Sequence, residues 1–235
     1  MTEQPRRPLT PDEDVIRAEE ARVTNVLTDE QRADRMSAEI RMAFAALQHV
    51  SPGAAVFGSA RTPASHPEYK LGVELGRRLG ECGVAVITGG GPGVMEAANR
   101  GAQEAEALSV GLTIDLPAEE RVNRFVDLEV HFHYFFVRKV MFVRYASAYV
   151  ALPGGYGTLD ELFECLTLIQ TQKIKDFPVI LVGTAFWGGL VSWMKTSLAD
   201  GGRIAPVDLE KLLVTDDLDL VVARVCAAVE RQQVG

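Results

Sequence analysis

From residue 54 onward the chain alternates short apolar runs with longer segments whose apolar residues recur every three or four positions, and few folds accept that alternation. The runs "AAVFGSA" (54–60), "VAVITGG" (84–90), "SVGLTIDL" (109–116), "AYVALPG" (148–154) and "PVILVG" (178–183) have the length of strands, with "VDLEVHFH" (126–133) and a short "LLVT" (212–215) as further candidates. Between them lie helical patterns at 67–83, closed by Gly83, and at 94–105, 135–146, 158–171 and 186–200, with a last helix running to about Glu230. Strands separated by helices are joined by crossovers, which makes them parallel, and a parallel sheet needs cover on both faces. The expected fold is α/β: a doubly wound, mostly parallel, Rossmann-like sheet in a single domain with an N-terminal helical extension. At 235 residues one well-buried domain is what the length allows.

The extension occupies residues 1–50: a polar, proline-bearing stretch to about residue 28, then a helix over 29–50 with Met36, Ile40, Ala43, Phe44 and Leu47 on one face. The domain proper is expected over 51–235, after the break at "SPG". The longest apolar runs are strand-sized, so no membrane span is expected. The start, "MTEQPRRPLTPDED", has no apolar segment of the kind a secretory signal needs. Three widely spaced cysteines with no CxxC pair fit a reducing compartment, hence the cytoplasm, and do not suggest zinc. A net charge of −8 argues against nonspecific binding to nucleic acid.

Ligands of doubly wound sheets lie beyond the carboxyl ends of the strands. Three turns there are unusual: "FGSAR", "TGGGPGVME" and "PGGYGTLDE", each leaving a strand and opening a helix. Such turns present free backbone N–H groups and the positive end of a helix dipole, and glycine lets a ligand come close. An anion such as phosphate suits them. They supply Ser59, then Gly90, Gly91 and Met95, then Gly154, Gly155, Tyr156, Gly157 and Thr158 as substrate-binding candidates. The dinucleotide pattern GxGxxG is incomplete and the Walker GK[ST] step is absent, which leaves a mononucleotide or sugar phosphate held without metal. No metal and no cofactor is assigned.

Thr158 to Glu161 spells T-x-x-E, a capping box, so Glu161 is either a structural cap or a carboxylate facing the phosphate crevice. Arg138 and Lys139 interrupt the apolar stretch "HFHYFFVRKVMFVRYA" and need partners there, either a salt bridge, with Glu161 as one candidate, or ligand oxygens. His131 and His133 stand on one strand face without a third ligand and read as core or rim residues rather than a metal pair.

"TGGGPGVMEAANRGA" (88–102), "FFVRKVMFV" (135–143) and "PGGYGTLDE" (153–161) together resemble the LOG family of cytokinin riboside 5′-monophosphate phosphoribohydrolases, many of whose members carry the older label "possible lysine decarboxylase". The resemblance runs from about Ala54 to Val229, meets the signature PGGxGTxxE without exception, and has the Arg-Lys pair 23 residues before the signature glutamate. It implies hydrolysis of the N-glycosidic bond of an adenosine 5′-monophosphate, often N6-substituted, to a free adenine-type base and ribose 5-phosphate. It also implies catalytic roles for Arg138 and Glu161, and a phosphate cradle at Gly154, Gly155, Gly157 and Thr158 with Lys139 adjoining. The long lead before the first core strand departs from the short plant-type members.

Two other readings remain at this level. One is a non-catalytic nucleotide-binding or carrier module. The other is a pyridoxal-dependent decarboxylase, for which Lys139 is the one lysine in a promising segment. A homo-oligomer, at least a dimer, is expected. The helices around Phe135–Tyr145 and Leu159–Ile169 are apolar over more than the stripe a sheet-covering helix needs, unless helix 29–50 covers them within the chain.

Overall fold

The computed structural model describes residues 10–16, 27–50, 53–115, 122–175 and 177–234. Seven strands form one sheet: β1 (Gly53–Phe57), β2 (Ala85–Thr88), β3 (Ser109–Ile114), β4 (Leu128–Phe132), β5 (Ala146–Ala151), β6 (Val179–Val182) and β7 (Leu212–Thr215). Their order is β4-β3-β2-β1-β5-β6-β7, and every pairing is parallel. Each of the seven runs read as a strand is one.

The central strands divide their side chains between two cores. Ala55, Phe57, Tyr149 and Ala151 enter one, and Ala54, Val56, Ala148 and Val150 the other. Burial on both faces is why these runs are continuously apolar rather than alternating. The first core is covered by α2 (Asp29–Leu47), α5 (Phe135–Tyr145), α6 (Tyr156–Gln170) and α7 (Thr184–Trp193). The second is covered by α3 (Pro67–Glu81), α4 (Val94–Glu104) and α9 (Leu218–Val234). The architecture is the doubly wound, Rossmann-like one that the alternation predicts.

Some details differ from the sequence reading. The helix read over 29–50 ends at Leu47, and the one read over 186–200 divides into α7 and a π-helical turn over Met194–Ala199. Two short helices, α1 (Pro11–Ile16) and α8 (Pro206–Glu210), have too few residues to show a period. Most of the polar stretch 1–28, and Ser51 and Pro52 of the expected break, lie outside the described residues.

The N-terminal segment has a local task. The first N–H groups of a helix lack intrahelical partners, and the N-cap of α5, Tyr134, makes no side-chain capping bond to them. Glu39 of α2 supplies one instead, accepting from the N–H of His133 at 3.0 Å and of Tyr134 at 3.1 Å. Asp12 of α1 accepts from the N–H of Phe135 at 3.3 Å. Negative charge at a helix N-terminus is favourable, so residues that read as an extension anchor the helix that carries Arg138. Among the described residues no helix is long and apolar enough to cross a membrane. All three cysteines are free.

Candidate active site

The strand order reverses between β1 and β5, and the crevice at the carboxyl ends of strands there is where a doubly wound sheet takes a ligand. A cavity of about 810 Å³ opens at that place, lined by the turns after β1, β2, β3 and β5 and by Phe135 and Arg138 of α5. Its size suits a nucleotide. Ser59, Gly90, Gly91, Met95, Arg138, Gly155, Tyr156, Gly157, Thr158 and Glu161 all line it, whereas Gly154 and Lys139 do not.

The three turns are bonded to one another. Ser59 N–H donates to Pro153 O at 3.0 Å, and Ser59 O accepts from Val94 N–H at 3.0 Å. Gly90 (φ +74°) and Gly93 (φ +69°) take conformations that side-chain-bearing residues rarely adopt. The middle turn is also held from below by residues the sequence reading did not single out. Asn123 Nδ2 donates to Gly90 O at 3.1 Å, Gly91 O at 3.0 Å and Asn99 Oδ1 at 3.0 Å. Asn99 in turn accepts from Thr88 Oγ1 at 2.6 Å and donates to Ser109 Oγ at 2.8 Å. A buried, fully bonded network of this kind rigidifies what it holds. Its only trace in the sequence is an asparagine on the apolar side of "VMEAANRGA".

The third turn corrects the expectation of a capping box. α6 begins at Tyr156, with Gly155 as N-cap and no side-chain capping bond, so Thr158 and Glu161 lie inside the helix rather than at its start. The strand-to-helix turn is shorter than the pattern suggested because glycine can serve as N-cap without a side chain. Thr158 points inward against Gly154, where a Cβ would run into its hydroxyl. Its carbonyl accepts from Tyr149 Oη at 2.8 Å. The first intrahelical bond runs from Leu159 N–H to Gly155 O, so the N–H groups of Tyr156, Gly157 and Thr158 precede the ladder. A Cβ on Gly155 or Gly157 would meet nothing within 4 Å. The fold does not demand glycine at these two positions, whereas a ligand lying against the amides would.

Arg138 is half-buried, its Nε donating to Leu112 O at 2.7 Å and its guanidinium 5.2 Å from the Phe142 ring centre. It forms no salt bridge with Glu161. Burial lowers its pKa to about 10, an effect the nearby Glu161 charge opposes, so it stays cationic at neutral pH. Glu161 is 6% exposed, and no described side chain hydrogen-bonds its carboxylate. Burial raises its pKa to about 7; the Lys139 and Arg138 charges pull it down, and Glu164 and Asp160 push it up.

Lys139 is committed elsewhere. Its Nζ lies 3.0 Å from Asp160 Oδ2 and 2.9 Å from Glu164 Oε2. Among the described residues, the cations that line the cavity are Arg138 and Arg61, the latter part of "FGSAR" but not singled out in sequence. Arg61 has no ion-pair partner among the described residues.

A doubly wound sheet whose switch-point crevice presents free helix amides, two arginines and a near-neutral carboxyl defines a Rossmann-like protein receptive to a small anion. The chain belongs to the LOG family: the family model described as "Possible lysine decarboxylase" matches residues 95–225. A protein of Mycobacterium tuberculosis named cytokinin riboside 5′-monophosphate phosphoribohydrolase is 30% identical over 166 residues, covering 68% of this chain and 86% of its own length. Among solved structures, one named TM1055 is 27% identical with a TM-score of 0.57, covering 73% of this chain and 96% of that one. The Moco carrier protein from Chlamydomonas reinhardtii shares the fold at 23% identity and a TM-score of 0.54, over 77% of this chain and 99% of its own.

Proposed function

We propose that this protein hydrolyses the N-glycosidic bond of an adenosine 5′-monophosphate, with or without an N6 substituent, to a free adenine-type base and ribose 5-phosphate. The observation that carries the reading is Glu161: a buried carboxyl poised near pH 7, facing the same crevice as the free amides of α6. The names of the curated relatives support the reaction type.

The N–H groups of Tyr156, Gly157 and Thr158, with Arg61, hold the 5′-phosphate, and the glycines leave room for it. Binding energy from this remote group orients the ribose. As the C1′–N9 bond lengthens, positive charge develops on the sugar, and the Glu161 carboxylate stabilises it and takes a proton from the attacking water. Water's oxygen ends on C1′ and its proton on Glu161; the leaving base takes up one proton from solvent, and Glu161 gives its own back to solvent, so the reaction balances. Arg138, fixed through Nε on Leu112 O and Nη2 on Gly89 O, presents its other N–H groups to the substrate's oxygens. Lys139 acts at one remove, holding Asp160 and Glu164 beside Glu161. A pyridoxal Schiff base does not fit this site. No lysine lines the cavity among the described residues, and Lys139, held by Glu164 and Asp160, has its pKa raised rather than lowered.

The pH dependence follows. The reaction needs Glu161 ionised and Arg138 protonated, so kcat/KM for AMP should rise through about pH 7 and fall through about pH 10. A profile flat between pH 5 and pH 9, followed by release of free adenine, would remove the ionised Glu161 from the mechanism.

The working unit in this reading is a dimer. α2 covers one side of α5, with Arg144 stacked over Phe44 at 4.8 Å, but Phe135, Phe136 and Val140 of α5 and Phe163 of α6 remain exposed. Tyr156, at 92% exposure, stands at the cavity mouth beside them. A two-fold pairing of this surface covers it. Light scattering should give a dimer for the full chain and a monomer for Val140→Glu; a fully active monomeric wild type would contradict the assignment.

A further inference from the structure

We propose that Asp115, His131 and His133 form a binding site for a divalent transition metal, zinc being the best match, at the edge of the sheet outside the nucleotide crevice. In sequence the two histidines lack a third ligand. The parallel pairing of β3 with β4, which sets Thr113 opposite His131, brings Asp115 beside them. One ligand atom from each of the three residues lies within 4.8 Å of the other two. His131 Nε2 is 2.9 Å from Asp115 Oδ1, and His133 Nε2 is 3.8 Å from Asp115 Oδ2. Zinc bound at about 2.1 Å in tetrahedral geometry sets its ligand atoms roughly 3.4 Å apart, between those two separations. The imidazole planes stand at 85° to each other, as two ligands converging from different directions would.

The surrounding bonds orient both rings for ligation. Glu39 Oε2 lies 2.9 Å from His133 Nδ1, so that nitrogen carries the proton and donates. Thr113 Oγ1 donates its one hydrogen to Glu129 Oε1 at 2.8 Å and can only accept from His131 Nδ1, at 3.0 Å. With Nδ1 donating, each neutral imidazole keeps its lone pair on Nε2, the atom that faces Asp115 and that a metal would take. A carboxylate or hydroxyl behind each ligating histidine is the usual support of a metal site. Two imidazoles and one carboxylate suit zinc better than magnesium or calcium, which prefer oxygen donors. Three protein ligands on an exposed edge leave room for water. The metal would join the ends of β3 and β4 and, through Glu39, the helix α2.

The test uses the full chain freed of metal by chelation. Equilibrium dialysis against zinc alone at micromolar concentration should load one equivalent on the wild type and raise its melting temperature. The double variant His131→Ala/His133→Ala should lose both effects, and Glu39→Gln should weaken binding by about 10–100-fold. Cobalt substitution gives a second readout on unmodified protein: d–d absorption without a thiolate charge-transfer band. Equal zinc uptake by wild type and double variant, a thiolate band with cobalt, or no uptake by the wild type would overturn the assignment.

Discussion

Replacing Glu161 with glutamine is expected to abolish release of adenine from AMP while nucleotide binding survives. The change keeps the shape of the side chain and removes the charge that meets the developing cation at C1′. Loss of one electrostatic stabiliser in a dry site typically lowers kcat by about 10²–10³-fold, and here the same group also takes the water's proton, so the loss should be at least that large. A structural role would show otherwise. Glu161 is not at the helix N-cap and holds no backbone donor there, so the substitution should not destabilise the protein. The sign is the reverse. A carboxyl whose pKa is raised from 4.5 to about 7 on folding binds its proton more tightly in the native state, so stability falls as pH rises through that window. Above it the native state carries the full penalty of the buried charge, on the order of 3 kcal/mol. Glu161→Gln should therefore melt higher than wild type at pH 8 and at nearly the same temperature at pH 4. Turnover near the wild-type rate would contradict the catalytic argument, and a lower melting temperature at pH 8 the linkage argument.

The second large effect concerns the phosphate. Adenosine should be a far poorer substrate than AMP, because the amides of Tyr156, Gly157 and Thr158 and the guanidinium of Arg61 have nothing to hold in a nucleoside. Hydrogen bonds to a charged group contribute about 1.5–3 kcal/mol each, so kcat/KM should fall by about a thousandfold or more when several are lost together. Gly157→Ala gives the complementary measurement. A Cβ there meets no protein atom, and alanine favours helix by roughly 0.8–1.0 kcal/mol over glycine, so the variant should fold at least as well as wild type. Its methyl group would occupy ligand space and raise KM for AMP. Comparable kcat/KM for adenosine and AMP, or an unchanged KM in Gly157→Ala, would take the phosphate away from the start of α6.

The parts of this molecule that follow from local chemistry were legible in the sequence. Strands buried on both faces announce themselves as apolar runs, and the glycines after β2 and β5 mark where the backbone must turn tightly or a ligand must approach. The turns at Ser59, Gly90 and Gly155 could thus be placed at one sheet edge before any coordinates. What depended on long-range pairing could not be read. The start of α6 at Tyr156 was missed because its N-cap is a glycine, which leaves no side-chain signature, while the T-x-x-E pattern two residues on imitates a cap. The support of α5 by Asp12 and Glu39 joins residues about a hundred positions apart. The family resemblance sets Lys139 beside the phosphate cradle, but one position around a helix turns a side chain by about 100° from that of Arg138, and Lys139 pairs with Asp160 and Glu164. Asp115 became visible as a partner of His131 only through the register of β3 on β4.

The central claim is that the crevice breaks a glycosidic bond rather than merely holding a nucleotide. The most direct test is to incubate the purified full chain with AMP and quantify free adenine and ribose 5-phosphate together over time. Equimolar appearance of both, abolished in Glu161→Gln although that variant still binds AMP, is the predicted result. Tight binding of AMP by the wild type with no base released would contradict the account and leave the protein a nucleotide-binding module.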